Sequence, residues 1–522
     1  MKGKSRKGIS RRNFLKYSGF AAAAGALGGL SSRRAFAQAP SVIKPAKELI
    51  VAFSGDPGHM DPRVEAGMIG YSIFDHMFET WIFRDKDCRT TPLLAEKWGQ
   101  ASPTALRLYL RKGVKFHNGE DFTAESVKLS IEQVAAPTSR SPMKAKMEAI
   151  KDFKIHDPHT IDLITAAPNR PLAGNNNLTY MISPRALREL GDKFSTNPVG
   201  TGQMKFVEYR PGQHVVMQPN PDYWGQKSNF ERLRIRFITE SGTRVAALEA
   251  GEVMMINNVP PDQVSRLRTN PNVQVVVSPT NRMMFSTIRC DRKPFNDKHV
   301  RQAMNYAVDK KALTQGILGG MAPMPKGLLA EGVRWTHPGL PPYTYDPDRA
   351  RKLLKEAGAA GATFNFGAPN GRYLMDRQIG EAIAGFLSEV GLNVKFENPI
   401  WSVFISQITK YDKCPYDGYI FGYGVLSGDP DWQMWDHFHS KSVRRTAYND
   451  PEVDRLLDAA RETFDEGKVK EIYYKAQAIV WEECPWIFLY EQPDICAINK
   501  KLKNWTGRRD ECLLFHKSSL EA

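Results

Sequence analysis

The chain has 522 residues, 42% hydrophobic and 25% charged, enough for two or three globular domains with a large core. Its formal net charge of +15 falls to +6 once the first 37 residues, which hold nine Lys and Arg and no acid, are set aside. The remaining charges of both signs are interspersed and leave no nucleic-acid footprint, and six cysteines without a C-x-x-C spacing exclude a zinc ribbon or thioredoxin-type redox motif.

At the N-terminus, seven Lys and Arg up to Lys16 precede the uncharged run Tyr17 to Leu30. As a helix that run would reach about 21 Å, short of the roughly 30 Å hydrocarbon core, so a spanning anchor is not expected. Downstream, Ala35-Phe36-Ala37 offers the small-x-small exit of a secretory signal, giving cleavage after Ala37. Ser10-Arg11-Arg12-x-Phe14-Leu15-Lys16 resembles the twin-arginine export signal in every position. The expectation is a periplasmic protein exported by the twin-arginine machinery, with residues 1–37 as its signal peptide. No lipobox cysteine follows the apolar run, so lipid anchoring is not expected. Export by this route implies folding in a reducing cytosol. Cys484 and Cys496 are near enough in sequence to pair, but buried free thiols are the preferred reading.

The rest of the chain alternates strand-like and helix-like segments without repeats. ELIVAFSG (48–55) reads as a first strand. LRLYL (106–110) alternates at period two, and Thr123 is placed to cap a helix whose apolar stripe is Val127, Ile131 and Val134. TRVAALEAGEV reads as a helix closed by Gly251 and followed by a strand. DKHVRQAMNYAVDKKALTQGILGG reads as one long helical region, and YDPDRARKLLKEAGA as a helix ended by Gly358. A helix from Asp376 runs through Gly391 into a strand, and residues 449–490 supply two helices and an apolar strand. Such alternation predicts an α/β fold with central strands buried on both faces.

Eight stretches in fixed order then resemble the peptide-type, family 5 solute-binding proteins of bacterial ATP-driven importers. They are PLLAEKW (92–98), LRKGVKFHNGEDFTAESV (110–127), NPVGTGQMKF (197–206), NPDYWG (220–225), PFNDKHVRQAMNYAVDKKAL (294–313), YDPDRARKLLKEAG (345–358), NDPEVDRLLDAA (449–460) and AQAIVWEECPWIFLY (476–490). The glycines of NPVGTG suit a tight chain crossing, and Tyr223 and Trp224 read as architectural. The resemblance implies a class II periplasmic-binding-protein fold, two lobes joined by a hinge with an inserted third domain. Lobe one would take 41–80, 201–289 and 491–522, the insertion 81–200, and lobe two 290–490, with hinges near Arg289 and Tyr490. The implied function is capture of a small-molecule or peptide-like solute by a monomer that delivers it to an ABC permease and ATPase complex.

The resemblance also places the pocket. Trp401 stands at the family's pocket tryptophan and Tyr423 at its strand-end aromatic. Where many peptide binders carry an aspartate that pairs with the α-ammonium, this sequence has Leu426, which accepts no proton. Asp429 is the next acid, and Asp429 or Asp431 would have to substitute. Met283 and Met284 lie on the lobe-one segment before the crossover. Trp432 and Trp435 are site or core in equal measure, and Arg282 is read as exposed or as a partner for an acidic ligand. The expected ligand-binding set is therefore Trp401, Tyr423, Met283, Met284, Trp432 and Asp429. Peptide remains the default ligand. An opine-like conjugate, oligosaccharide or metal chelate is the alternative, and an exported enzyme a more distant one. His437 and His439 lack the surroundings of a metal site, and no nucleophile elbow, P-loop or H-E-x-x-H is present. No cofactor, metal or catalytic activity is expected.

Overall fold

The structure is a computed structural model that describes residues 48–521, apart from 66, 176, 177, 443 and 444. The signal segment, with Arg11, Arg12 and the bond after Ala37, lies outside the described residues.

Ten strands form one mixed sheet. Its order is Asn393–Glu397, Thr363–Gly367, Gly418–Gly424, Val273–Thr287, Trp486–Asn499, Met255–Ile256, Glu48–Phe53, Arg232–Phe237, His214–Pro219 and Met204–Arg210. Alternation at period two makes the outer strands one-sided, whereas Trp486–Asn499 is buried along almost its whole length, as its unbroken apolar start WIFLY predicts. Two apolar cores cover the two faces: Met283 and Phe285 belong to one, Met284 and Ile420 to the other.

The two longest strands tie the halves of this sheet together. Residues 273–279 pair antiparallel with 493–499, and residues 283–287 pair with 486–491, with register breaks after Pro279 and after Met284. The first half of Trp486–Asn499 therefore lies beside the strand that meets Gly418–Gly424, and its last residues lie beside Met255–Ile256. Tyr490 sits at this irregular stretch opposite Met284, whereas Arg289 lies beyond the end of its strand.

A separate antiparallel sheet, ordered Ala95–Ser102, Ala105–Leu110, Thr160–Thr165, Ile150–Asp157, carries the helix Ala124–Ala135. Thr123 caps that helix through a capping box completed by Ser126. The glycines of NPVGTG sit where the chains cross. A Cβ on Gly200 would lie 2.2 Å from the Met77 carbonyl oxygen, and one on Gly202 would lie 2.5 Å from the Met77 carbonyl carbon. Tyr223 and Trp224 donate to the buried Glu79 carboxylate at 2.8 and 3.0 Å, an architectural role. The long helical region after Asp297 is interrupted: Lys298–Ala307 ends at Val308 and a short π-helical turn, Ala312–Ile317, follows. All six cysteines are free thiols. Among the described residues no helix is long and apolar enough to cross a membrane.

Candidate functional site

The strand Gly418–Gly424 sets the first wall. Its alternation puts Tyr419, Phe421 and Tyr423 on one face and Ile420 and Gly422 on the other. Met283 is the cross-strand partner of Tyr423 and shares its face. Met284 is the partner of Gly422, where a Cβ would come within 2.4 Å of its sulfur, and is fully buried in the opposite core. The structure therefore does not bring Met284 to Tyr423, because neighbours on a strand point to opposite faces.

Trp401 opens the helix Trp401–Ile408 and remains partly exposed. Its ring meets Tyr373 edge-on at 6.2 Å, and Tyr373 meets Phe421 edge-on at 6.5 Å. Trp401, Tyr373 and Phe421 are thus one continuous aromatic wall, with Tyr423 next along the strand. The Tyr423 hydroxyl donates to Asp436, whose carboxylate also takes the Lys146 ammonium at 3.0 Å. Burial first, and then the Asp436 charge, pushes the Tyr423 phenol far above its usual range. Lys146 lies 4.5 Å over the ring of the buried Trp432, which makes Trp432 part of this support rather than of an open surface. Trp435 stacks on His439 at 3.8 Å beneath the Arg461 guanidinium.

The loop after the strand carries Leu426, buried and apolar. Asp429 is engaged inside the protein: Arg170 donates to its two oxygens at 2.6 and 3.1 Å, with both side chains only about one-tenth exposed. Asp431 is likewise bound, by Arg461 and by Asn175. An ammonium could reach Asp429 only by displacing Arg170. Asp429 does border a cavity of about 840 Å³, together with Ser427, Gly428, Arg170, Arg334 and Trp335. That volume is of the size that organic ligands fill.

Three guanidiniums complete the surroundings, two of them missed in the sequence. Arg282, far from being exposed, is buried, paired with Glu511 at 2.6 Å and bonded to the Gly422 carbonyl. Arg372 lies over the rings of Tyr373 and Trp401 at 5.1 and 5.2 Å. Burial lowers its pKa, with Arg282 adding to the effect. Arg445 lies 4.3 Å over Phe421. The only sequence signals were Gly-Arg-Tyr before a helix and a pair of arginines in a loop, both common on surfaces. His437 is buried against Phe285, Tyr423 and Trp486. Burial, then Arg445 and Lys146, hold its pKa well below the ordinary histidine value, so it is neutral near pH 7. Among the described residues no group of three or more side chains is arranged to hold a metal ion.

Comparison with known proteins adds three findings. The profile of the bacterial extracellular solute-binding proteins, family 5 Middle, matches residues 89–444, and that of the twin-arginine translocation signal matches residues 8–28. The glutathione-binding protein GsiB of Salmonella typhimurium is 26% identical over 507 residues, covering 95% of this chain and 98% of the relative. Two solved structures share the fold. One is the periplasmic binding protein DppA from Helicobacter pylori with the peptide STSA, at TM-score 0.83 and 24% identity over 91% of this chain and 98% of that one. The other is NikZ from Campylobacter jejuni with Ni(L-His), at TM-score 0.80 and 22% identity over 91% of this chain and all of that one.

Proposed function

The chain belongs to the family 5 bacterial extracellular solute-binding proteins, and from that premise we propose that it captures a peptide-like organic solute lacking a free α-ammonium. Members of this family deliver solutes to an ABC permease and ATPase complex, and the twin-arginine signal accounts for export. The observation that carries the ligand reading is the wall of Trp401, Tyr373, Phe421 and Tyr423 beside a loop whose Leu426 accepts no proton and whose Asp429 is already paired with Arg170. Flat ring faces bind planar and apolar groups without a charge anchor. Trp401 and Tyr423 are the contacts we assign, with Met283 packed in the core beside Tyr423 as its cross-strand support. Asp429 and Trp432 support the walls, and Met284 packs beneath them.

The mechanism is closure. Lobe one (41–80, 201–289, 491–522) with its insertion (81–200) would swing against lobe two (290–490). The register break between Pro279 and Met283, opposite Pro493 and Glu491, is the point where two strands take up the motion. A solute stabilises the closed form by as much as it binds that form better. The chain acts as a monomer in the periplasm after cleavage behind Ala37, without catalysis and without binding nucleic acid.

Native mass spectrometry of protein taken from its own periplasm identifies the co-purifying solute, and small-angle scattering with and without it reads closure. A smaller radius of gyration with solute bound is the expected result. A particle whose dimensions never change at saturation sinks the closure mechanism, and an unmodified dipeptide as the bound species sinks the ligand reading.

A further inference from the structure

The ammonium of Lys146 is held by a part of the chain to which its own backbone does not belong. The short helix Lys144–Met147 packs on Ala124–Ala135 in the insertion, and Met147 is fully buried, with the Thr179 hydroxyl 3.4 Å from its sulfur. The Lys146 ammonium, by contrast, donates to both oxygens of Asp436 at 3.0 and 3.1 Å and lies 4.5 Å from the centre of the Trp432 ring. Both partners sit on the helix Asp431–Phe438, within lobe two. Among the described residues this ammonium has no hydrogen bond or ion pair inside the insertion. Other contacts between the same regions are reinforced. The backbone N–H of Arg170 donates to the Arg461 carbonyl at 2.8 Å, and Asp431, which Asn175 reaches, also holds Arg461 from its own lobe. The Lys146 contact is made by side-chain atoms alone, so it can break and re-form without disturbing a backbone.

The same carboxylate faces the solute wall, because the Tyr423 hydroxyl donates to Asp436. The Lys146 side chain is 10% exposed and that of Asp436 24%, so water still reaches the pair. A solute covering the Tyr423 ring would shed that water, and the attraction between the two charges grows as the local dielectric falls. We infer that Lys146 is a positioning residue for solute capture: it clasps Asp436 across the cleft when the lobes shut, steadies the Tyr423 ring through that carboxylate, and slows release of the solute. The inference rests on the closure proposed above. By linkage, whatever the clasp adds to the closed form is added to solute affinity. The gain falls on the dissociation rate, because the clasp forms after the solute has entered.

The test takes protein from its own periplasm with its solute bound, dilutes it, and follows the loss of the bound mass by native mass spectrometry. Lys146→Met keeps a stem of similar length over Trp432 and removes the charge; it should lose solute at least about fivefold faster than the wild type. Lys146→Arg should recover part of that loss. Raising NaCl from about 0.1 M to about 1 M should speed release from the wild type and leave Lys146→Met nearly unaffected, a response that a purely structural role does not give. Cooperative melting shows that the variants fold, and Asp436→Asn breaks the pair from the other side should Lys146→Met fail to fold. Small-angle scattering before and after the solute has dissociated reads closure independently. Equal release rates from the wild type, Lys146→Met and Asp436→Asn overturn the clasp, and closure stands if the wild type still expands on losing solute. Release from Lys146→Arg as fast as from Lys146→Met would mean that packing rather than charge is at work, and also overturns it. A wild type whose radius of gyration is the same with and without its solute overturns closure, and the clasp with it.

Discussion

Tyr423 presents a ring to the wall while its hydroxyl is spent on Asp436, so ring and hydroxyl have separable duties. Trp401 has only the first duty, and Trp401→Ala should cost about 1–3 kcal/mol of solute binding, the contribution of one buried aromatic. Calorimetry with the co-purified solute measures this, and a loss confined to thermal stability would place Trp401 in the core instead. A second residue controls stability through protonation. Asp494 is buried in the strand Trp486–Asn499, and burial first, then the Glu511 charge, push its carboxyl up to about 7. An unfolded aspartate titrates near 3.9. The folded pKa is the higher one, so the contribution of Asp494 is fully present below about pH 4 and is lost as the pH rises towards 7. Asp494→Asn removes that loss. The variant should match the wild type at pH 4 and exceed it by about 1–3 kcal/mol at pH 8 in urea unfolding. Equal stability at pH 8 would mean that the carboxylate finds compensation on ionising.

At the scale of elements, the loop from Val425 to Pro430 is fastened to a distant segment by Arg170, which lies 259 residues away in sequence from Asp429. Arg170→Ala strands a carboxylate that is only about one-tenth exposed, at a cost of about 2–4 kcal/mol of stability. Exchanging the two, Arg170→Asp with Asp429→Arg, should recover part of it in thermal melts. Such a pair has no local signature, so Asp429 read from sequence as a spare ligand acid. Helices and strands were legible because their apolar periods are local: Pro347–Glu356 opens at a capping Asp346 and ends before Gly358, as its residues dictate. Adjacent Met283 and Met284 looked alike until strand alternation sent them into different cores. Arg372 and Arg445 were invisible because an arginine outside any motif reads like a solvated one, and only the rings beneath them give the position meaning.

For the whole molecule, one sheet runs through both halves, and its two longest strands break register at the same level. Were these paired strands to act as the proposed hinge, they would resist twisting and permit bending, which suits a motion that opens and shuts along one axis. Folding must precede export if the twin-arginine signal directs it. Changing Arg11 and Arg12 together to Lys should therefore leave folded, uncleaved protein in the cytoplasm, read by fractionation and immunoblot. Efficient periplasmic delivery of that double variant would mean that another route carries it.

The free thiols have a practical corollary. Five of the six cysteines are buried and Cys290 is half-buried, and burial raises the pKa of every one, so almost no thiolate is offered to a maleimide at neutral pH. The wild-type chain is consequently a silent background for dye chemistry. A lone cysteine placed beside Trp401, at exposed Val403, should accept one fluorophore while the native six stay dark, turning the protein into an optical reporter for whatever it carries.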